Sequence, residues 1–241
     1  MLFPDARGRR LRANDNFRRM IRETKISCDD LIMPLFAIDG KSVKKPIASM
    51  PGQARLSVDL MVKHCEAVAE AGVPGIALFP ALPDDQITCL CESCNRGIEI
   101  VHNGNERAGL LAMRTAFEIK QVERVILGTD SPAGSGVQPL GILRMIAMLS
   151  SLGDIPPEIA FCFATGNTAR MRDLDCGIIE IGRSADFVLM DTAQHAPGRN
   201  MLESIHQGNL PGVGMTIIDG IVRTNRSRNT PPAAHLPEII E

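Results

Sequence analysis

The hydrophobic and polar positions alternate between short apolar runs and longer amphipathic stretches. The apolar runs predict four strands, at residues 31–38, 75–79, 97–101 and 125–127. The amphipathic stretches predict five helices, at residues 57–71, 86–95, 105–120, 138–151 and 156–170. Ser57 is the expected N-cap of the first of these helices. Strands that alternate with helices predict a parallel sheet with right-handed crossovers.

The pattern changes after about residue 173, where short strands predominate. Strands are predicted at residues 178–181, 187–190, 215–218 and 221–223, with one helix at 200–207. Asp219-Gly220 between the last two strands is a strong hairpin signal. Pro34 counts against a central position for the first strand of the chain, because proline lacks the N–H that a ladder needs.

Composition and charge set limits on the class of protein. The chain has 241 residues, 44% of them hydrophobic, which suits one α/β domain of moderate size or two small ones. No apolar stretch approaches the roughly 20 residues of a membrane span, and no signal peptide is recognised, so we expect a cytoplasmic protein without a membrane partner. The formal net charge of −2 provides no general field for polyanions.

The N-terminal segment is nonetheless basic. Residues 7–25 carry eight basic side chains and only two acidic ones. Only Phe17 interleaves them, so nucleic acid is a weak prediction, and a solvated or subunit-contacting arm is the preferred interpretation.

Three of the seven cysteines are clustered, at Cys89, Cys91 and Cys94. An odd number of cysteines without a secretory signal argues against a disulfide framework. Thiolates at this spacing can chelate zinc, but a structural site normally has four ligands and no second cysteine pair follows. Reduced helix cysteines are the alternative.

Several long runs in the first part of the chain carry a resemblance: RRLRANDNFRRMIRET at residues 9–24, DDLIMPLFAIDG at 29–40, KPIASMPGQARLSVDLMV at 45–62 and GIALFP at 75–80. They resemble porphobilinogen synthase, the family that condenses 5-aminolevulinate in tetrapyrrole synthesis. The resemblance implies an arm that wraps a neighbouring subunit, followed by the first two β/α units of a TIM barrel.

From about residue 85 a different resemblance begins. It is carried by IEIVHNGN at 98–105, VILGTDSPAGSGVQPLGILR at 125–144, ATGNTARM at 164–171, GIIEIGRSADFVLMD at 177–191 and IDGIVRTNRSRNTPPA at 218–233. These runs resemble the C-terminal part of enamidases, members of the metal-dependent amidohydrolases. The resemblance implies the end of a barrel and its flanking β-sandwich, with Asp130 following the last barrel strand.

The two resemblances together predict the organisation of the chain. We expect a basic arm at 1–28, porphobilinogen-synthase-like β/α units at 29–84, an amidohydrolase-like barrel end at 85–172, and a β-appendage with a tail at 173–241. The predicted fold class is α/β: a partial TIM-barrel-like parallel sheet of about four β/α units, then a small β-sandwich-type appendage. Because four strands leave open edges, one hypothesis is that two chains close a barrel as a homo-oligomer, four strands from each. The alternative is a twisted open sheet or a chain that folds poorly.

The amidohydrolase resemblance implies that Asp130 accepts and returns a proton beside a metal-bound hydroxide, although Asp130 can equally be a turn cap onto the amides of Ser131 and Gly134. The predicted metal ligands are Asp130, His102, Cys89, Cys91 and Cys94, for zinc or another divalent metal such as iron or manganese. None of the five histidines forms the His-x-His pair of the family, and a hydrogen-bonded rim histidine is the more frequent role for His102.

The porphobilinogen synthase resemblance also meets a difficulty. That family uses two lysines on late barrel strands as Schiff-base nucleophiles, whereas Lys120 is the one lysine after residue 63. Three functions therefore stay open: a hydrolase of cyclic amide or other C–N bonds with a small-molecule substrate, catalytically incomplete here; a porphobilinogen synthase relative; and a non-catalytic fusion or truncated relic.

Overall fold

The computed structural model describes residues 14–81, 83–101, 104–132 and 136–240. The chain divides into two compact units, residues 1–82 and 83–241. Within the described residues, no helix is long and apolar enough to cross a membrane.

The first unit is built on a four-stranded sheet with the strand order β2-β3-β1-β4. The strands are β1 (Ile32–Ile38), β2 (Lys44–Pro46), β3 (Ala54–Leu56) and β4 (Gly75–Ala81). β1 pairs in parallel with β3 and β4, whereas β2 and β3 are antiparallel. The strands predicted at 31–38 and 75–79 are confirmed, and the short β2–β3 pair was not predicted.

Pro34 lies in β1, which has a neighbour on each side. It stands opposite Ala77 of β4, but β3 pairs only with Phe36 and Ala37. One side of β1 is therefore unpaired at Pro34, and the missing N–H is tolerated there.

Two helices accompany this sheet, α1 (Asp15–Met20) and α2 (Val58–Glu70). Ser57 stands at the N-cap of α2 as predicted, but its hydroxyl makes no capping bond to the helix. It accepts the Val43 N–H at 2.9 Å and donates to Asp59 Oδ1 at 2.6 Å, which ties the start of α2 to the loop before β2. The core of this unit consists of Leu35, Ala37, Leu56 and Met61.

The second unit continues the alternation of helices and strands. Its first elements are α3 (Asp84–Ser93), β5 (Ile98–Val101), α4 (Glu106–Glu118), β6 (Val125–Gly128), α5 (Gly141–Ser151), α6 (Pro157–Ala164) and α7 (Gly166–Arg172). β5 and β6 are paired in parallel. The helix predicted at 156–170 is two helices, because Thr165 leaves helical geometry with φ −121° and ψ −93°.

The main core of the chain lies between β6 and helices α4, α5 and α6. Met113, Val125, Met145, Leu149 and Phe163 are each fully buried there. Each apolar side chain buried in this way contributes about 1.5–3 kcal/mol relative to an exposed one. This core holds β6 in place, and with it the segment that follows β6.

The last part of the second unit is a three-stranded antiparallel sheet. Its elements are β7 (Phe187–Asp191), α8 (Met201–His206), β8 (Gly212–Ile218) and β9 (Ile221–Thr224), with the strand order β7-β8-β9. The predicted hairpin is confirmed: Asp219 and Gly220 both have positive φ, at 52° and 72°, as a tight turn of this type requires.

The strand predicted at 178–181 is wrong, since this segment forms no strand. Gly177 and Gly182 flank it with φ of 81° and 93°, so the chain turns at both ends. Ile179 and Ile181 are exposed, although their alternation with polar residues imitates a strand.

The fold is mixed α/β, with parallel strand pairs and a separate antiparallel sheet. The parallel strands belong to two sheets, and the predicted barrel is not confirmed. The predicted β-appendage is present as one three-stranded sheet.

Candidate active site

The carboxyl edge of the β5–β6 pair is the candidate site. The parallel register places Val101 opposite Gly128, so both strands end at the same edge. In parallel α/β folds this edge, with the loops that leave it, is where ligands bind. Thr129 and Asp130 come directly after β6.

Asp130 lies on a sharp turn at this edge. Its φ is 50°, in the left-handed region that aspartate tolerates better than most residues, and the residue is exposed. The Ser131 N–H donates to Thr129 Oγ1 at 3.3 Å, and the Gln138 N–H donates to Ser131 Oγ at 3.5 Å. Gly134, the other predicted capping partner of Asp130, lies outside the described residues, as does its amide.

The N-terminus of α5 lies beside this turn. A Cβ atom on Gly141, the first residue of α5, would stand only 2.7 Å from Thr129 Cγ2, so the helix approaches Thr129 at the closest distance that glycine allows. The positive end of the helix dipole is therefore next to the segment that carries Asp130.

Buried polar contacts hold β6 from the side. The Asn167 amide of α7 donates to Val122 O at 2.8 Å and to Val125 O at 2.9 Å. Asn167 is only 5% exposed, so its amide is satisfied by these two carbonyls, of which Val122 O also accepts the Val125 N–H. They fix where β6 begins, and hence where Asp130 is placed at its end.

Arg124 holds the opposite end of β6. Its guanidinium donates to three carbonyls at the end of α3, Cys94 O, Arg96 O at 3.1 Å and Cys91 O at 2.7 Å. A cation at the C-terminus of a helix neutralises the negative end of the helix dipole. The end of α3 is in this way tied to the amino end of β6.

The structure therefore places the predicted cysteines away from the predicted aspartate. Cys91 and Cys94 are tied to Arg124, which immediately precedes β6, whereas Asp130 follows the far end of the strand. The four residues of β6 span about 13 Å at the usual rise of a strand. Cys89 is on α3 with the other two cysteines and is exposed.

The burial of Cys91 also bears on metal binding. Burial raises the pKa of its thiol, and the nearby Arg124 guanidinium opposes this only in part. Thiols bind zinc as thiolates, so a raised pKa disfavours Cys91 as a ligand.

His102 lies outside the described residues. Among those that are described, no three His, Cys, Asp or Glu side chains are grouped so that they could hold a metal ion. The described donor set thus does not fit a divalent metal, and metal binding at Asp130, His102 and the cysteines stays a prediction.

A serine, a histidine and an aspartate also meet in the second unit, but not as a nucleophile site. Ser150 Oγ lies 3.2 Å from His206 Nδ1, and His206 Nε2 lies 3.6 Å from Asp154 Oδ1. Ser150 is fully buried and donates its proton to Ile155 O at 2.8 Å. A substrate cannot reach that hydroxyl, so this group packs α8 against α5.

Sequence reasoning missed the residues that position this site. Asn167 lies within the run ATGNTARM and Arg124 directly precedes a predicted strand, but neither position marks the residue as part of a site. A polar residue on a helix with little exposed surface is a detectable signal, but its partners, the carbonyls of Val122 and Val125, are set by tertiary structure alone.

Two family models match the chain. Residues 57–222 match the amidohydrolase family, and residues 5–103 match delta-aminolevulinic acid dehydratase, another name for porphobilinogen synthase. The two matches overlap at residues 57–103, so the amidohydrolase likeness begins earlier than the sequence motifs predicted. The composite resemblance itself is confirmed.

Individual relatives agree with both matches. The enamidase of Eubacterium barkeri is 34% identical over 192 residues, 80% of this chain and 49% of that protein. The delta-aminolevulinic acid dehydratase of Synechocystis is 46% identical over 87 residues, 36% of this chain and 26% of that protein. That of Ruminiclostridium josui is 48% identical over 73 residues, 30% of this chain and 36% of that protein.

A solved structure supports the similarity to enamidase. The crystal structure of enamidase, described as a member of the amidohydrolase superfamily, matches with a TM-score of 0.64 and 37% identity, over 66% of this chain and 42% of that one. This chain spans about half the length of the enamidase and a quarter to a third of the dehydratases. Because the family model covers more than half of its residues, the chain belongs to the amidohydrolase family.

Proposed function

We propose that this chain acts in the hydrolysis of cyclic amides or other non-peptide C–N bonds of small molecules, with Asp130 as its proton-transfer group. The observation that carries the proposal is the position of Asp130 in an amidohydrolase-family chain, at the carboxyl edge of a parallel strand pair and beside the N-terminus of α5. The substrate class is suggested by the enamidase of Eubacterium barkeri, which is 34% identical over 80% of this chain.

The role of Asp130 follows from what amide hydrolysis needs. Water attacks the carbonyl carbon, a base accepts a proton from that water, and the leaving nitrogen must receive a proton before the C–N bond breaks. One carboxylate, here that of Asp130, can accept the first proton and return it to the nitrogen. No step is assigned to a metal, because the described residues do not provide its ligands.

The fold that we propose for this site is part of a TIM-like barrel in which β5 and β6 are neighbouring strands. Its support is the parallel register of β5 and β6, with helices between and after them. We further propose that two copies of the chain close such a barrel together. A monodisperse monomer in sedimentation equilibrium would refute the dimer without affecting the role of Asp130.

The test compares Asp130→Asn with Asp173→Asn on a panel of cyclic enamides and imides, with and without added zinc, iron or manganese. Asp173 is a suitable control because it is also exposed and left-handed, with φ 51°, at the end of α7. Removing a general base should lower kcat/KM by about 10²–10⁴-fold, while the control retains the wild-type rate.

Two results would contradict the proposal. Equal activity of Asp130→Asn and wild type would remove Asp130 from the mechanism. No hydrolysis of any substrate by a folded wild-type protein would favour a non-catalytic relic.

A second function, porphobilinogen synthase activity, is favoured by the 46% identity of the N-terminal part to a delta-aminolevulinic acid dehydratase. The argument against this function is that Lys120 is the one lysine after residue 63. Lys120 follows the C-terminus of α4, in a left-handed turn with φ 57°. Adding 5-aminolevulinate and assaying for a pyrrole product distinguishes this function from hydrolysis, since a hydrolase forms none.

A further inference from the structure

Cys91 lies on the last turn of α3, and Cys94 is the C-cap residue that follows the helix. Side chains three positions apart share a face of a helix, with Cβ atoms about 5–6 Å apart, whereas a disulfide needs about 3.5–4.5 Å. Cys94 is the C-cap and is already extended, with φ −87° and ψ 133°, while its N–H still bonds to Leu90 O at 3.0 Å. Because Cys94 follows the last helical residue, a backbone shift of about 1–2 Å at this position would close the gap without unwinding α3.

The two thiols differ in exposure. Cys91 is 2% exposed, whereas Cys94 is partly exposed and its Sγ accepts the Arg96 N–H at 3.4 Å. A reagent from solvent thus reaches Cys94 first, and Cys91 is shielded behind it. Cys89, two residues before Cys91, is exposed and points to another side of the helix.

Arg124 contacts both cysteines. One guanidinium donates to the carbonyls of both residues, so it keeps their backbones next to each other. Arg124 Nε is buried and has no hydrogen-bond partner among the described residues.

We propose that Cys91 and Cys94 form a reversible redox pair, which is oxidised to an intrahelical disulfide by low-molecular-weight disulfides. The Cys94 thiolate attacks one sulfur of the external disulfide RSSR and releases one thiolate, which leaves a mixed disulfide on Cys94. Cys91 then attacks the Cys94 sulfur and displaces the second thiolate, which takes up the Cys91 proton as it leaves. Two electrons pass to RSSR, which becomes two RSH, and the protein loses two hydrogens.

The test oxidises the native chain with glutathione buffers of graded potential, blocks free thiols by alkylation and maps the peptides without reduction. Cleavage after Glu92 separates Cys91 from Cys94, so the two peptides stay together only if a disulfide joins them. We expect this linkage in the wild type, loss of the mass of two hydrogens, and full reversal by dithiothreitol.

Three variants assign the steps. Cys89→Ser, the matched control on the same helix, should form the linkage as the wild type does. Cys91→Ser should accumulate the glutathione adduct on Cys94, at least tenfold more than the wild type, because no thiol resolves it. Cys94→Ser should leave Cys91 unmodified in the folded protein.

The proposal is overturned if the wild type stops at the Cys94 adduct, or if the linkage disappears in Cys89→Ser. It is also overturned if purified protein holds one zinc ion per chain that protects Cys91 and Cys94 from alkylation. If Cys91→Ser does not fold, Cys91→Ala replaces it, because alanine also removes the thiol that would resolve the Cys94 adduct.

Discussion

The two units of this chain each contain a parallel strand pair, and the two pairs are buried very differently. The β1–β4 pair is the longer, with seven paired positions, yet Ile76 and Leu78 of β4 are each 50% exposed. The β5–β6 pair has four paired positions, and Val125 and Leu127 of β6 are at most 7% exposed. The length of a ladder therefore does not determine how well a strand is buried.

The difference comes from the helices that cover each pair. In the first unit, α2 supplies Met61 to a core of four buried residues. In the second, α4, α5 and α6 each contribute to a core of thirteen. Since apolar burial is the main favourable term in folding, the second unit should be the more stable of the two, and the predicted catalytic turn belongs to it.

The largest test of this comparison is Phe163→Ala against Phe79→Ala. Phe163 is fully buried in the larger core, so its truncation should cost about 3–5 kcal/mol of unfolding free energy. Phe79 is 40% exposed and stacks on Phe36 with ring centroids 5.3 Å apart, so its loss should cost only about 1–2 kcal/mol. Denaturant unfolding followed by far-ultraviolet circular dichroism measures both, because the chain has no Trp or Tyr.

The comparison fails if Phe79→Ala is as costly as Phe163→Ala. That result would mean that the exposed face of the first unit is covered in solution, as the proposed dimer requires. Repeating the measurement across a range of protein concentrations shows whether a dimer is responsible, because only a dimer gives an unfolding midpoint that depends on concentration.

A smaller effect is expected from Asn167→Ala. This change removes the side-chain donor to the buried Val125 carbonyl, whereas Val122 O keeps the Val125 N–H, and we expect a cost of about 1–3 kcal/mol. Asn225→Ala is the matched control, because Asn225 is exposed and such substitutions usually change stability by no more than about 0.5 kcal/mol. Equal stabilities of the two variants would show that β6 is held by packing alone.

Much of the fold could be predicted, because the apolar runs and helical periodicity are local properties. Most predicted strands and helices are present, including the Asp219-Gly220 turn, where the backbone geometry suits only a few residue types. The wrongly predicted strand has a local alternation of apolar and polar residues that resembles a real strand. Residues 178–181 alternate like a strand, but their flanking glycines turn the chain away from any partner.

The candidate site was less predictable than the fold. Asp130 could be singled out, since a polar residue directly after an apolar run lies at a strand end. The contacts that hold Asp130 in position could not be predicted. Gly141 approaches Thr129 closely although the two residues are well separated along the sequence. The periodicity of neither segment indicates that contact.

Gly141→Ala tests that fit directly. The added methyl group would meet Thr129 Cγ2 at 2.7 Å, so we expect a loss of about 1–3 kcal/mol despite the better helix propensity of alanine. Thr129→Ser removes that methyl group and should restore most of the stability in the double variant. Additive losses in the double-mutant cycle would show that the two side chains do not touch.

The smallest effects concern acid stability. Among the described residues, one aspartate in each unit has a lowered pKa: Asp59 in the first and Asp191 in the second. In the second unit, partial burial acts to raise the pKa of Asp191, but hydrogen bonds from the Thr192 N–H and from His235 outweigh it and lower the pKa. In the first unit, the Ser57 hydroxyl and then the Ser42 N–H lower the pKa of Asp59. Both groups thus bind protons less readily in the folded chain than in the unfolded one.

The sign of the pH dependence follows from this. Each aspartate stabilises the fold above its unfolded pKa of about 3.9, and that contribution is lost as the pH falls through the lower folded value. The stability difference between wild type and Asp191→Asn should therefore be largest near neutral pH and disappear in strong acid. His235→Ala should show part of the effect, because it removes the 2.8 Å bond from Nδ1 but keeps the backbone donor. If Asp59→Asn alone changes the acid limb of the unfolding profile, the first unit determines acid unfolding, as its smaller core predicts.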